Sequence, residues 1–205
     1  LNESITMSEA NEPSERDSED TIRTFICIEI PPGVKTHIED LQHTLRQPDA
    51  QISWVKPANI HLTIKFLGDV EVSRIETVRR AVERATASVS AFDIEVGSAG
   101  CFPDARNVRV LWVGLSRVPE VLSDLHLRIE DELARDGFPR ESKRFSPHLT
   151  IGRARNPNRA RQTAETLIAR GFAPIAFQAS EIIVMRSDMH PTGSIYTPQA
   201  VIRLG

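Results

Sequence analysis

The 205-residue sequence predicts an α+β fold of two similar halves around a central groove, on three observations. His-Leu-Thr-Ile occurs twice, at His61–Ile64 and His148–Ile151, 87 positions apart (148 against 61). The order strand, helix, His-x-Thr strand, helix, strand runs twice along the chain at an offset of roughly 85 residues, as a duplication would leave it. A hydrophobic content of 40% over this length is enough to bury a core, as one domain or two tightly packed lobes.

Each element has a local reason. Thr24 to Ile30 is rich in β-branched and aromatic residues and stops at Pro31-Pro32, which predicts a strand. Val34, Ile38, Leu41 and Leu45 then fall at helical spacing before Pro48. The strand carrying His61 follows and is expected to end near Gly68. Ser73-x-x-Glu76 has capping-box form, and Ile75, Val78, Val82 and Ala85 make one apolar helical face. A strand around Phe92 to Val96 completes the first half.

The second half repeats that order. Val108 to Leu115 is an apolar strand, and Pro119 suits a first helical turn. Val118, Leu122, Leu125, Ile129 and Leu133 give a helical stripe that Gly137 can end. After the His148 strand, Asn156 and Pro157 are placed as N-cap and first position of a helix through Ala164, Leu167 and Ile168, stopped by Gly171. Strands near Ile175–Phe177, Ile182–Met185 and Ala200–Leu204 remain. The expected organisation is a disordered acidic tail over 1–21 and one domain over 22–205, with duplicated halves at approximately 22–98 and 106–205.

Charge and cysteine usage narrow the class. Residues 1–21 hold seven acids against the single base Arg16, so the whole-chain charge of -3 becomes +3 for residues 22–205, with 24 bases and 21 acids. A mildly basic body permits an anionic substrate without demanding one. Cys27 and Cys101 sit in apolar contexts with no CxxC or Cys/His ligand spacing, so buried free thiols in a reducing cytoplasm are expected. No apolar stretch approaches the length of a membrane span, and the polar, acidic beginning does not read as a signal peptide. A monomeric cytoplasmic protein is the expectation.

The repeated tripeptide carries the chemistry. Successive strand side chains point to opposite faces, so His61 and Thr63 share one face while Leu62, Ile64 and Phe66 take the other. His148 and Thr150 stand likewise against Leu149 and Ile151. Two such strands related by a pseudo-twofold axis would bring both imidazoles into one groove, the predicted active site. Imidazole has an unperturbed pKa of about 6.5, so one copy can act as acid and the other as base near neutrality. No His-x-His, His-x-x-x-His or carboxylate cluster accompanies either copy, which predicts no metal and no cofactor.

The remaining features receive plainer readings. The third triplet, His190-Pro191-Thr192, has a central Pro and a following Gly193, and reads as a turn. His37, His43 and His126 are expected on helix surfaces, and Lys65 as a solvated charge. Trp54, Phe66 and Trp112 are expected in the core more than as base-stacking platforms.

At the motif residues the sequence resembles a known family. The blocks that carry the likeness are Trp54-Val55, Pro57, Asn59 and His61 to Gly68, then Phe145 to Arg153. Phe102-Pro103, Arg109 to Leu115, and Ser187, Pro191, Gly193 and Tyr196 fall at matching places. Together they resemble the two-histidine (2H) phosphoesterase superfamily, in its RNA 2′,3′-cyclic phosphodiesterase branch, also called 2′-5′ RNA ligase-like. Ser53 departs from the pattern where an Arg often precedes the Trp, and Met189 stands where Leu is common.

The resemblance implies two pseudo-symmetric lobes of antiparallel sheet with outer helices around the groove. It also implies metal-independent hydrolysis of RNA 2′,3′-cyclic phosphate ends, or of a cyclic nucleotide, to a 2′-phosphate. His61 is then the general acid for the departing 3′ oxygen and His148 the base that activates water, with the two roles interchangeable by symmetry. Thr63 and Thr150 would donate to non-bridging oxygens, and Arg153 would pair with the phosphate. Strict alternation puts Arg153 on the wrong face, unless Gly152 hosts a bulge. Two other readings stay open: a non-catalytic module that binds RNA ends or nucleotides, and 2′-5′ RNA ligation with a 5′-hydroxyl replacing water.

Overall fold

The computed structural model describes residues 20–191 and 193–205, so the acidic tail expected over 1–21 lies outside the described residues except for its last two. The first strand, β1 (Thr21–Glu29), leads through Pro31 into α1 (Pro32–Leu45). A short strand that the sequence pattern did not reveal, β2 (Ile52–Trp54), precedes β3 (His61–Glu71), which runs past Gly68. Next come α2 (Ile75–Thr86) and β4 (Phe92–Phe102), the latter twice as long as predicted. The second half contains β5 (Val110–Leu115), α3 (Glu120–Arg135), β6 (His148–Ala154), α4 (Pro157–Arg170), β7 (Ile175–Ala179), β8 (Glu181–Asp188) and β9 (Ile195–Arg203).

The helices form where the apolar stripes put them. Val34, Ile38, Leu41 and Leu45 are buried in α1, and Leu122, Leu125, Ile129 and Leu133 in α3. These stripes share one core with Leu62, Ile64, Leu149 and Ile151, so the helices cover the face of the sheet opposite the groove. Two stripes overreach by one residue: Val118 and Ile168 are exposed. Asn156 caps α4 as predicted, its Oδ1 accepting from the amides of Asn158 and Arg159. The predicted capping box at Ser73 does not form. A 3-10 turn at 72–74 precedes α2, and Glu76 accepts from Arg79 and Arg80 instead.

Among the described residues the nine strands make one antiparallel sheet in the order β7-β4-β5-β6-β3-β1-β8-β9, with β2 paired to β6. Two lobes of four strands meet at β3 and β6. The lobes are not the sequence halves, because β4 joins β5 and β6 while β8 and β9 join β1 and β3. At the joint Leu62 pairs with Leu149, so the two motifs run antiparallel through their central leucines. That register sets His61 toward Thr150 and Thr63 toward His148. Diagonal neighbours in such a ladder stand about 7–8 Å apart, room for one phosphorus between two imidazoles.

Each motif strand carries a bulge at the same place. The partners of β3 along β1 skip Ile64, passing from Cys27↔Thr63 to Ile26↔Lys65. The partners of β6 along β5 skip Ile151, passing from Trp112↔Thr150 to Leu111↔Gly152. One extra residue reverses the facing of everything beyond it. Phe66 therefore turns to the groove side, against the alternation expected from sequence, and Arg153 turns there too.

Candidate active site

The groove between the lobes has a volume of about 590 Å³ and is lined by all five predicted site residues, His61, Thr63, His148, Thr150 and Arg153. The first four stand where period two puts them; Arg153 arrives through the Ile151 bulge. Gln42, fully buried on α1, holds that bulge in place by donating to the carbonyls of Ile151 and Val55, both at 2.8 Å. No spacing in the sequence singles out Gln42, since one amide in a helical stripe carries no signature.

The imidazoles are held alike. His61 Nδ1 lies 2.9 Å from the Asn59 carbonyl oxygen, and His148 Nδ1 lies 2.7 Å from that of Ser146, in each case two residues back. A carbonyl oxygen only accepts, so Nδ1 carries the hydrogen in both rings, and Nε2 is left to exchange protons. Asn59 is itself tied down, its side chain donating to the Ser194 carbonyl at 2.7 Å.

Their surroundings differ. His61 stacks on Phe25 at 4.6 Å between centroids and meets the Tyr196 ring edge-on at 5.2 Å. Burial pushes its pKa down to about 4; the Asn59 carbonyl opposes the fall, while the charges of Lys35 and Arg153 add to it. His148 meets the edge of Phe102 at 4.9 Å and the tilted Trp112 ring at 6.5 Å. Burial lowers its pKa as well, opposed by the Ser146 carbonyl and assisted by Arg153. Both rings are thus biased toward the neutral form until an anion enters the groove.

Several single-residue expectations need correction. Lys65 is 4% exposed and donates to Glu130 of α3 at 2.6 Å and to the Pro139 carbonyl at 3.0 Å, because the bulge sends it to the helix side. Phe66 is 54% exposed at the groove, not in the core. His126 is buried, stacked on Phe145 at 4.0 Å with its Nδ1 3.2 Å from the Ile64 carbonyl oxygen, so it is no surface histidine. Trp54 and Trp112 are half-buried, Trp54 lining the groove and Trp112 a neighbouring cleft. Ser53, which stands at the departure from the family pattern, accepts from Arg155 at 2.7 Å.

His190 sits in a turn that the Gly193 amide closes on its carbonyl at 2.9 Å, as predicted, while Thr192 lies outside the described residues. His37 and His43 are exposed, and Cys27 and Cys101 are buried and free. Among the described residues no three His, Cys, Asp or Glu side chains cluster as metal ligands do. No helix among them is long and apolar enough to cross a membrane.

The fold has counterparts among solved structures. A crystal structure named simply as that of a phosphoesterase matches with a TM-score of 0.73 at 24% identity, covering 90% of this chain and 99% of that one. Ligand-free E. coli LigT matches with a TM-score of 0.75 at 23% identity over 90% and 98%. Residues 30–191 match the family model of the 2′-5′ RNA ligase superfamily, and the chain belongs to that family. A curated relative from Methanothermobacter thermautotrophicus, named RNA 2′,3′-cyclic phosphodiesterase, is 34% identical over 89% of this chain and 99% of its own length. One of the same name from Thermotoga maritima is 30% identical over 85% and 91%.

Proposed function

We propose that this chain is an RNA 2′,3′-cyclic phosphodiesterase that opens the cyclic phosphate by two-histidine acid–base chemistry and leaves a 2′-phosphate. The observation that carries the reading is the matched pair of imidazoles, each with Nδ1 tied to a backbone carbonyl, lining one groove with two threonines and an arginine. Relatives bearing that enzyme name span nearly the full chain and support the same substrate class.

Opening the ring requires a nucleophile in line with the leaving oxygen. His148 takes a proton from water as its oxygen bonds to phosphorus; the bond from phosphorus to the 3′ oxygen breaks, and His61 protonates that oxygen. His61 suits the acid's role because burial and two nearby cations make its imidazolium ready to release a proton. The anionic phosphate between the rings supplies the charge that loads it beforehand. Thr63 and Thr150 hydroxyls donate to the non-bridging oxygens, and the Arg153 guanidinium matches two of them at once. Every group required comes from a single chain, so the chemistry calls for no second copy. The two buried thiols fit a reducing cytoplasm.

The test is to incubate RNA ending in a 2′,3′-cyclic phosphate with the protein in chelator and to identify the product. Conversion to the 2′-phosphate is expected. Tight binding without conversion would leave a module that holds RNA ends, and a 3′-phosphate product would reverse which oxygen departs.

A further inference from the structure

A second cleft of about 370 Å³ opens on the far side of His148, whose ring is a wall of both cavities. Its floor is the Trp112 indole. Gly100 lies directly across from Trp112 on β4 and Gly114 two residues along on β5, both on the indole's own face. A Cβ at Gly100 would collide with the ring, and one at Gly114 would lie 2.8 Å from Cζ3. Two absent side chains thus let the indole lie flat along the sheet. Its Nε1 is buried with no hydrogen-bond partner among the described residues.

Phe102 flanks the indole at 5.3 Å, and Arg144 stands exposed at the cleft wall with no acidic partner among the described residues. An aromatic plane beside an unpaired cation is how single-stranded nucleic acid is gripped without reading its sequence. We infer that this cleft is a second nucleotide subsite. In it the base of the nucleotide preceding the cyclic-phosphate end stacks on Trp112, and the phosphodiester joining the two meets Arg144. The inference rests on the hydrolytic reading above and specifies its substrate: a strand of RNA in preference to a mononucleotide.

The experiment compares kcat/KM for a nucleoside 2′,3′-cyclic phosphate with that for a dinucleotide ending in the same group. The wild-type protein should favour the dinucleotide by about 10-fold or more. Trp112→Leu should lower the dinucleotide value about 5- to 150-fold further than the mononucleotide value, and Trp112→Phe should restore most of the preference. Arg144→Ala, on an exposed side chain, should shrink the preference and its dependence on salt. Equal wild-type rates on the two substrates, or variants that depress both alike, would overturn the subsite while leaving the hydrolase intact. Turnover of neither substrate would remove the hydrolytic reading first, and this one with it.

Discussion

The two copies of His-Leu-Thr-Ile share a scaffold and differ in the residues next along the strand. Both carry a ring anchored through Nδ1 to the carbonyl two residues earlier, and both have a bulge at the isoleucine. Beyond the bulge the first copy delivers Phe66 to the groove and Lys65 to the helix side, where the second delivers Arg153 and Gly152. A repeated backbone therefore supplies two-sided proton transfer, and one substitution after each bulge divides the rest of the work. Another cation beside His61 would make its imidazolium costlier still, since Lys35 and Arg153 already push that way.

The equivalence of the copies is broken most severely at the rings themselves. His61→Ala and His148→Ala should each reduce kcat/KM on a 2′,3′-cyclic phosphate by about 10²–10⁴-fold. Acting on one phosphorus, the pair is expected to be non-additive, so the double variant should be little slower than the worse single. Multiplying losses would mean that the rings serve separate events.

The residue before the re-aimed one shows a contrast in stability. Lys65→Met would strand the Glu130 carboxylate in the interior with only the Glu141 amide, at 3.1 Å, and should cost about 3–5 kcal/mol in urea unfolding. Lys65→Met with Glu130→Leu removes both charges and should recover most of that loss. At the equivalent position Gly152→Ala places a Cβ 2.9 Å from Ile52 Cγ2 and 3.2 Å from Trp54 Cε3, an overpacking worth about 1–3 kcal/mol. An equal cost for Lys65→Met alone and for the double change would show that the pair is held by packing and not by charge.

Legibility in the sequence divides along the same line. The helix stripes, the four strand-borne His and Thr positions and the Asn156 cap were legible because each depends on a period or a local bond. The bulges were not, since an isoleucine in a bulge looks like one in a regular strand; Lys65 and Phe66 were misplaced as a result. Arg153 was recovered only through family likeness. The exchange of β4 against β8 and β9 leaves no trace in element order, and Gln42 and His126 act through contacts distant along the chain.

Arg153 is the next point of comparison, because Phe66 shows what that place becomes without a cation. Arg153→Gln should cost about 10²–10³-fold in kcat, the scale of losing one preorganised donor to a developing oxyanion. Phe66→Ala should act mainly on KM, as an exposed apolar wall would. Arg153→Lys keeps the charge without the two-pronged geometry and should fall between wild type and Arg153→Gln. A loss confined to KM for Arg153→Gln would demote the residue to substrate capture.

The gentlest probe is pH. In the free protein His61 titrates at about 4 and His148 below its ordinary 6.5, and turnover needs one ring protonated and the other neutral. Below the lower pKa both rings are charged and no base remains; above the higher one both are neutral and no acid remains. The kcat/KM profile, which reports the free protein, should therefore be a bell with both limbs below 6.5. The kcat profile should lie at higher pH, because bound phosphate stabilises imidazolium on either side. Arg153→Gln removes a charge that depresses both rings, so what activity remains should show both limbs of its kcat/KM bell moved upward. Movement of one limb alone would mean that the arginine faces a single histidine and that the pseudo-symmetry of the site stops short of its phosphate.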